Sequence, residues 1–497
     1  MDERKQIFKD STQYLVSTVL AQGAGLFRSV VLPVFLGPAQ LGIWNLMNVV
    51  IGYGANAHLG ILHGLNKKVP MLRGLGHAAE FDELKDSVYW ASLLLALIVG
   101  AALFLGSFVV EPVYASALRI VAMVIVLQMV FVYYFCLLRG DNRFELVSKG
   151  IAGLSILSSA TVLVLAYLSP DRLLGALWGV AVAYPFILGY WYYKGGYRFT
   201  ISLKRDQVKD AFVLGFPLIV LGFMDMVFLS MDRWLIAWKL SETALGYYAF
   251  GIMAGNLLGL VPISASNVLY PRMLQRFAVS GDSFAVSGLL LNPVRAITSM
   301  MIFLTSATTI ALPLVIRLLL PDYIPSISLI EIVVPGAFFL AIAYSVGNFV
   351  VAINRQRVLI VVLLVATAVT LTLDVVLLRL GYGVHGIAYA TVLGYAIYGF
   401  GYLGVSVHLA QGRWSETVHF LANHLALFIV MMIAVKSTGL IAHQASPWPE
   451  QVFWAFVRLL AVSGLLLPFV WLANRKSGVW SSLMAILSEW RNVSRPE

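Results

Sequence analysis

Long apolar runs of about twenty residues recur from one end of the chain to the other, separated by short polar breaks. Coiled as a helix, a run of that length crosses about 30 Å of hydrocarbon. The pattern predicts spans near 12–36, 40–62, 87–109, 115–137, 150–168, 173–193, 211–231, 243–266, 290–313, 327–352, 357–378, 384–407, 419–439 and 452–473. Only a helix satisfies its backbone polar groups locally in lipid, and no run shows the ten-residue alternation of a membrane barrel. The predicted fold class is therefore an all-α integral membrane protein with about 14 transmembrane helices. The opening MDERKQIFKD is short and polar, and no A-x-A cleavage site follows the first run. That run reads as a retained helix rather than a signal peptide.

Composition agrees: 60% of the 497 residues are hydrophobic and 12% charged, about half the charged fraction a soluble domain needs. The net charge of +10 does not imply nucleic acid, because the basic residues lie in short loops where they orient helices. Alternate loops carry about 25 Lys and Arg on one side, the tail residues Arg475, Lys476, Arg491 and Arg495 included. The other side has about seven: Arg119, Arg172, Arg233, Lys239, Arg317, Arg379 and Lys436. The asymmetry predicts a plasma (inner) membrane protein with both termini cytoplasmic. Cys136, the single cysteine, permits no disulfide within the chain.

A weak internal repeat divides the chain. Leu41-Gly42-Ile43-Trp44 is echoed by Leu245-Gly246-Tyr247-Tyr248, Pro70-Met71-Leu72-Arg73 by Pro271-Arg272-Met273-Leu274, and Gly179-Val180-Ala181 by Gly386-Ile387-Ala388, at offsets of 204, 201 and 207. Six helices per half make the repeats parallel, two lobes holding a substrate where the halves meet. The expected domains are an N-lobe over 1–209, a C-lobe over 210–410, and a helix pair with a cytoplasmic tail over 411–497.

With these motifs in place, LGPAQLGIW, the Pro70-to-Arg73 loop, GFPLIVLGFMDMVFLSMDRWLIA (215–237), ALGYYAFG (244–251) and YGVHGIAYATVLGY (382–395) resemble the O-antigen-type polysaccharide and oligosaccharide flippases. These belong to the multidrug/oligosaccharidyl-lipid/polysaccharide exporter superfamily. The resemblance implies two six-helix lobes and alternating access for an undecaprenyl-pyrophosphate-linked glycan. Many relatives carry an acidic residue at the end of the second helix; this chain has His58, so no role of that acid transfers.

Ionisable groups inside a membrane are costly and usually face a cavity or a partner. Arg28 lies more than two turns from either end of its span; facing a central cavity, its planar fork suits a pyrophosphate. The alternative is an arginine that neutralises a buried acid or caps carbonyls. Asp225, mid-span, is a candidate for ion coupling, for a pair with Arg28 at the lobe interface, or for a structural bond to a neighbouring helix. Asp232 and Arg233 read as an interfacial ion pair. Asn66 and Lys67 are placed to meet an arriving headgroup, or simply to set topology. Arg119 and Arg317 either attract an emerging headgroup or snorkel, as Arg458 does. Asp374 and Arg379 read as an interfacial anchor. Residues 77–85, HAAEFDELK, suggest a short helix lying on the membrane face. The aromatic triplets at 133–135 and 191–193 suggest an interfacial belt.

No GxxxxGKS/T loop occurs, Gly74-Leu75-Gly76 lacks the strand and spacing of a dinucleotide site, and no HExxH or paired CxxC marks a metal. Neither a cofactor nor enzymatic activity is expected. The expected function is translocation of a polyprenyl-pyrophosphate-linked oligosaccharide to the outer leaflet, for lipopolysaccharide or exopolysaccharide assembly. The expected partners are that substrate, membrane lipids and other polysaccharide-assembly proteins, with the chain itself a monomer. A cation-coupled multidrug exporter is the alternative, although the first six spans contain no Asp or Glu to hold a cation. A glycan polymerase or ligase is a further alternative, although every predicted outer loop is short.

Overall fold

The computed structural model describes residues 3–439 and 448–474, with side chains from residue 13 onward except 15. The side chains of Arg4, Lys5 and Lys9, and the tail with Arg475, Lys476, Arg491 and Arg495, lie outside the described residues. Within them the chain forms helices and no strands, and 13 helices are long and apolar enough to cross a membrane. Large apolar side chains such as Val19, Phe27, Val30 and Val34 on the first helix stand exposed, as do Leu94, Leu97 and Ile98 on the fourth. Only lipid makes so much outward apolar surface stable, so this is a multi-pass membrane protein.

The chain divides into two compact units, Met1–Gly246 and Tyr247–Glu497. The first contains α1 (Glu3–Phe35), α2 (Pro38–Ala55), α3 (Ile61–Leu75), α4 (Ala78–Gly106), α5 (Pro112–Gly140), α6 (Phe144–Leu168), α7 (Arg172–Gly195), α8 (Arg205–Phe228), α9 (Met231–Lys239) and the start of α10 (Glu242–Ser280). Helix α5 is its axis, packed on α2, α3, α4 and α7, while α1 lies along α6 and α3 along α8. The second unit contains the rest of α10, α11 (Ser283–Leu319), a 3-10 turn at Pro321–Ser326, α12 (Ile327–Ala352), α13 (Gln356–Arg379), α14 (Gly383–Gln411), α15 (Trp414–Thr438) and α16 (Trp448–Asn474). The mean apolarity of α12 explains its place: buried between α11 and α14, it forms the core of this unit.

Two predicted spans are broken. The run at 40–62 separates into α2 and α3 around Asn56–Gly60, where Leu59 and Gly60 have positive φ of 51° and 95°. His58, buried, accepts the Gly60 N–H on Nδ1 at 3.0 Å and so serves a backbone donor that the interrupted helix leaves free. The run at 211–231 ends at Phe228, and the following segment forms the short α9. At that break Ser230 Oγ donates to the Met226 carbonyl at 2.6 Å, and the Arg233 guanidinium donates to the Leu229 carbonyl.

Other expectations are corrected near the basic loops. Pro70 to Arg73 form no loop but the last turns of α3, and residues 78–85 begin the continuous α4 instead of a separate surface helix. Tyr133, Tyr134 and Trp191 are core residues, whereas Tyr192 and Tyr193 are exposed. Tyr133 and Tyr134 pack with Tyr89 and Phe199, beneath a linker at 196–204 that is clamped to α4. Lys85 donates to the Arg198 carbonyl at 2.6 Å and lies 3.3 Å from Asp86; Asp86 accepts from the Thr200 N–H at 3.2 Å. Tyr197 donates to Asp141 at 2.6 Å, and burial followed by this bond keeps its phenol protonated well above the ordinary range. Asp374 is fully buried rather than presented at an interface.

Candidate functional site

A cavity of about 880 Å³ opens in the first unit between α2, α4, α5, α8 and α9. No Asp, Glu, Lys or Arg lines it. Its character comes from Tyr53, Tyr114, Phe223, Trp234 and Trp238 among aliphatic side chains. Tyr53 packs edge-on to Phe223 at 5.5 Å, and its hydroxyl lies 2.9 Å from Ser230 Oγ at the α8–α9 break. Tyr114 donates to Glu242 at 3.1 Å, and Asn56 donates to the Gly52 carbonyl at 3.1 Å. The wall thus offers flat aromatic faces and a few fixed polar groups, the usual form of a small-molecule site.

Backbone crossings flank this wall along the chain. On one side a Cβ on Gly42 would stand 2.3 Å from the Glu242 carbonyl oxygen, and one on Gly246 only 1.8 Å from that of Pro38. The two repeat motifs recognised in the sequence therefore touch, glycine to backbone. On the other side a Cβ on Gly215 would stand 1.9 Å from the Gly60 oxygen, and one on Gly64 2.0 Å from the Ala211 oxygen. No side chain fits at either crossing while it is closed.

Arg28 is not on this wall. It sits part-buried in the α1–α6 seam, where Nη1 donates to Ser158 Oγ at 3.2 Å. No carboxylate comes within 4 Å of it among the described residues. Asp225 is half-buried on α8, also off the cavity wall. Asp232 is buried with its carboxylate 3.5 Å from Arg233 Nε, so the pair serves the α8–α9 break. Asn66 and Lys67 stand on α3, Lys67 exposed, while the neighbouring Lys68 pairs with Asp210 at 3.2 Å. Arg119 donates to Ser107 at 3.1 Å and lies over Phe108, tying the α4–α5 turn. Arg317 lines a separate cavity of about 270 Å³ in the second unit with Glu331, Lys436 and Arg458. The structure gathers none of these charges around the aromatic cavity. Attention to ionisable residues missed its lining, although Trp234 and Trp238, one turn apart beside Asp232-Arg233, carried a signal of one aromatic face.

The fold has known counterparts. It superimposes on a structure titled lipid II flippase MurJ, inward closed conformation, with a TM-score of 0.69 and 14% identity over 93% of this chain and 98% of that one. An inward-facing multidrug resistance MATE family transporter of the MOP superfamily matches with a TM-score of 0.58 and 15% identity, over 82% and 99%. A mutant of the Vibrio cholerae MATE transporter VcmN matches with a TM-score of 0.53 and 16% identity, over 83% and 97%. The chain shares the fold of these structures. Within it, residues 77–277 match the family described as polysaccharide biosynthesis protein. No curated protein matches the chain.

Proposed function

We propose that this protein is a flippase that carries a polyprenyl-pyrophosphate-linked oligosaccharide from the cytoplasmic to the outer leaflet. The observation that carries the proposal is Arg28, a guanidinium within a membrane span that has a serine hydroxyl but no carboxylate beside it. Such a group is costly in lipid unless an anion visits it, and a pyrophosphate supplies one with matching bidentate geometry. The match to a polysaccharide biosynthesis family supports a glycan cargo.

In this scheme both termini are cytoplasmic, the two repeats act as lobes, and the glycine crossings are the gates that part alternately. Moving negative charge outward from an inside-negative cell gains about 2.3 kcal/mol per charge per 100 mV, which supplies a driving force without ATP. Asp225 is the candidate for any coupled ion; Asn66 and Lys67 receive the headgroup, and Arg119 and Arg317 release it. Deletion followed by mass analysis of lipid-linked intermediates tests the proposal. It predicts accumulation of the complete glycan on its carrier, facing the cytoplasm; unchanged intermediates and surface glycan would refute it.

The uncharged aromatic cavity favours a second reading, a multidrug exporter, in line with the multidrug resistance MATE transporter that shares the fold. That reading predicts raised drug tolerance on overexpression and no glycan phenotype on deletion.

A further inference from the structure

Apart from the chamber of the first unit, a cavity of about 680 Å³ lies wholly within the second unit, between α11, α14, α15 and α16. Its lining runs from the α14–α15 turn inward along α15 to Val430, about four turns from Trp414. Its one arginine, Arg295, lies over the Phe420 ring at 4.9 Å, and no carboxylate comes within 4 Å of it among the described residues. The acid on the wall, Glu416, is taken up by Arg413 at 3.4 Å. His424, 3% exposed, also stacks on Phe420, with ring centroids 4.5 Å apart. Its Nδ1 lies 2.8 Å from the Phe420 carbonyl oxygen, so that nitrogen carries the proton and donates. In the neutral ring this leaves Nε2 as an acceptor, buried and without a hydrogen-bond partner among the described residues. A buried acceptor left unmet costs about 1–3 kcal/mol, which a ligand donor reaching it from the cavity would recover.

We infer that this cavity binds the headgroup of a glycerophospholipid that combines a phosphodiester with a hydrogen-bond donor. The phosphodiester pairs with Arg295, and the hydroxyl of phosphoglycerol or the ammonium of phosphoethanolamine donates to His424 Nε2. Phosphocholine has the phosphodiester but no donor. The rest of the lining argues for a lipid over a soluble anion. Leu427 and Val430 continue the wall inward, and Phe469 and Leu472 at its edge are 46% and 50% exposed, an apolar rim on which acyl chains lie.

The test uses the full-length protein in maltoside detergent, titrated with phosphatidylglycerol, phosphatidylethanolamine or phosphatidylcholine, with the first bound lipid followed by mass spectrometry of the intact complex. Phosphatidylglycerol and phosphatidylethanolamine should bind about tenfold more tightly than phosphatidylcholine. His424→Phe should erase that preference, leaving the phosphodiester anchor. Arg295→Met should weaken all three lipids about tenfold, with Arg295→Lys recovering part of the loss. A thermal midpoint for each variant separates lost binding from lost folding, and should Arg295→Met not fold, the Lys and His424 variants decide. Equal affinity for the three lipids in the unmodified protein, or a preference that survives His424→Phe, overturns the inference. Displacement of the lipids by millimolar inorganic phosphate overturns the lipid assignment in favour of a free anion.

Discussion

The crossing of Gly42 and Gly246 offers the sharpest test of how the aromatic chamber opens. Replacing Gly246 with alanine puts a methyl carbon 1.8 Å from the Pro38 carbonyl oxygen. A carbon–oxygen contact needs about 3.3 Å, so the helices must separate there by about 1.5 Å. Forcing a methyl into so tight a contact costs roughly 1–3 kcal/mol, borne only by the state in which this crossing is shut. If the shut and open states exchange, the open population rises by a factor of roughly five to 150. A cysteine at Met47, on the cavity wall just past Gly42, reports this in a Cys136→Ser background, since Cys136 is the chain's single cysteine. Labelling of that cysteine by an impermeant maleimide added outside should accelerate by the same factor when opening is fast. Gly42→Ala should act alike, and the two together should fall short of additive because they strain one contact. Unchanged labelling in a normally folded Gly246→Ala protein would show that this crossing is a permanent joint, not a gate.

Other outcomes follow from the same geometry. Arg28→Ala should abolish complementation of a deletion strain and Arg28→Lys should retain part of it, while full function in the alanine variant removes Arg28 from the site. Gly215→Val, whose side chain would meet the Gly60 backbone, should stall transport at the opposite crossing, seen as a reporter cysteine that no longer becomes protected from outside reagent. Asp86→Ala leaves the buried Lys85 with the exposed Asp82 and a carbonyl; a loss of about 3 kcal/mol is expected, read as a lowered thermal midpoint. Tyr197→Phe should cost about 1.5–3 kcal/mol by removing a hydrogen bond to a carboxylate. Because the Tyr197 phenol has a raised folded pKa, its contribution is complete below the unfolded value of about 10 and is lost only as pH rises through the folded value. The Tyr197→Phe penalty should therefore be constant between about pH 6 and 9, and a penalty that varies there contradicts the assignment.

The aromatic chamber keeps charged side chains off its wall. Low-dielectric walls strengthen any field that reaches the chamber, while Arg28 lies off its wall, in the α1–α6 seam. The polar groups that do reach the wall are hydroxyls and an amide already engaged in bonds, which hold the aromatic faces in place.

Length and polarity of the apolar runs determined the class of this protein by themselves, because thickness of hydrocarbon and the cost of free backbone groups leave few alternatives to a bundle of spanning helices. The repeat motifs were legible for a related reason: glycine in Leu41-Gly42 and Leu245-Gly246 is demanded by a close approach that no other residue permits. What the sequence could not show was that these two glycines meet each other, since contact between positions 204 residues apart is a property of packing. The breaks at 56–60 and 229–230 were hidden for a different reason. The few polar residues there, Asn56 and His58 at one and Ser230, Asp232 and Arg233 at the other, do not by themselves mark a break, while the backbone is turned by positive φ at Leu59 and Gly60 and stabilised by His58, Ser230 and Arg233. Tertiary packing alone decided which aromatics line a chamber and which fill a core, because on helices apolar on every side the periodicity does not say which face meets lipid and which meets protein.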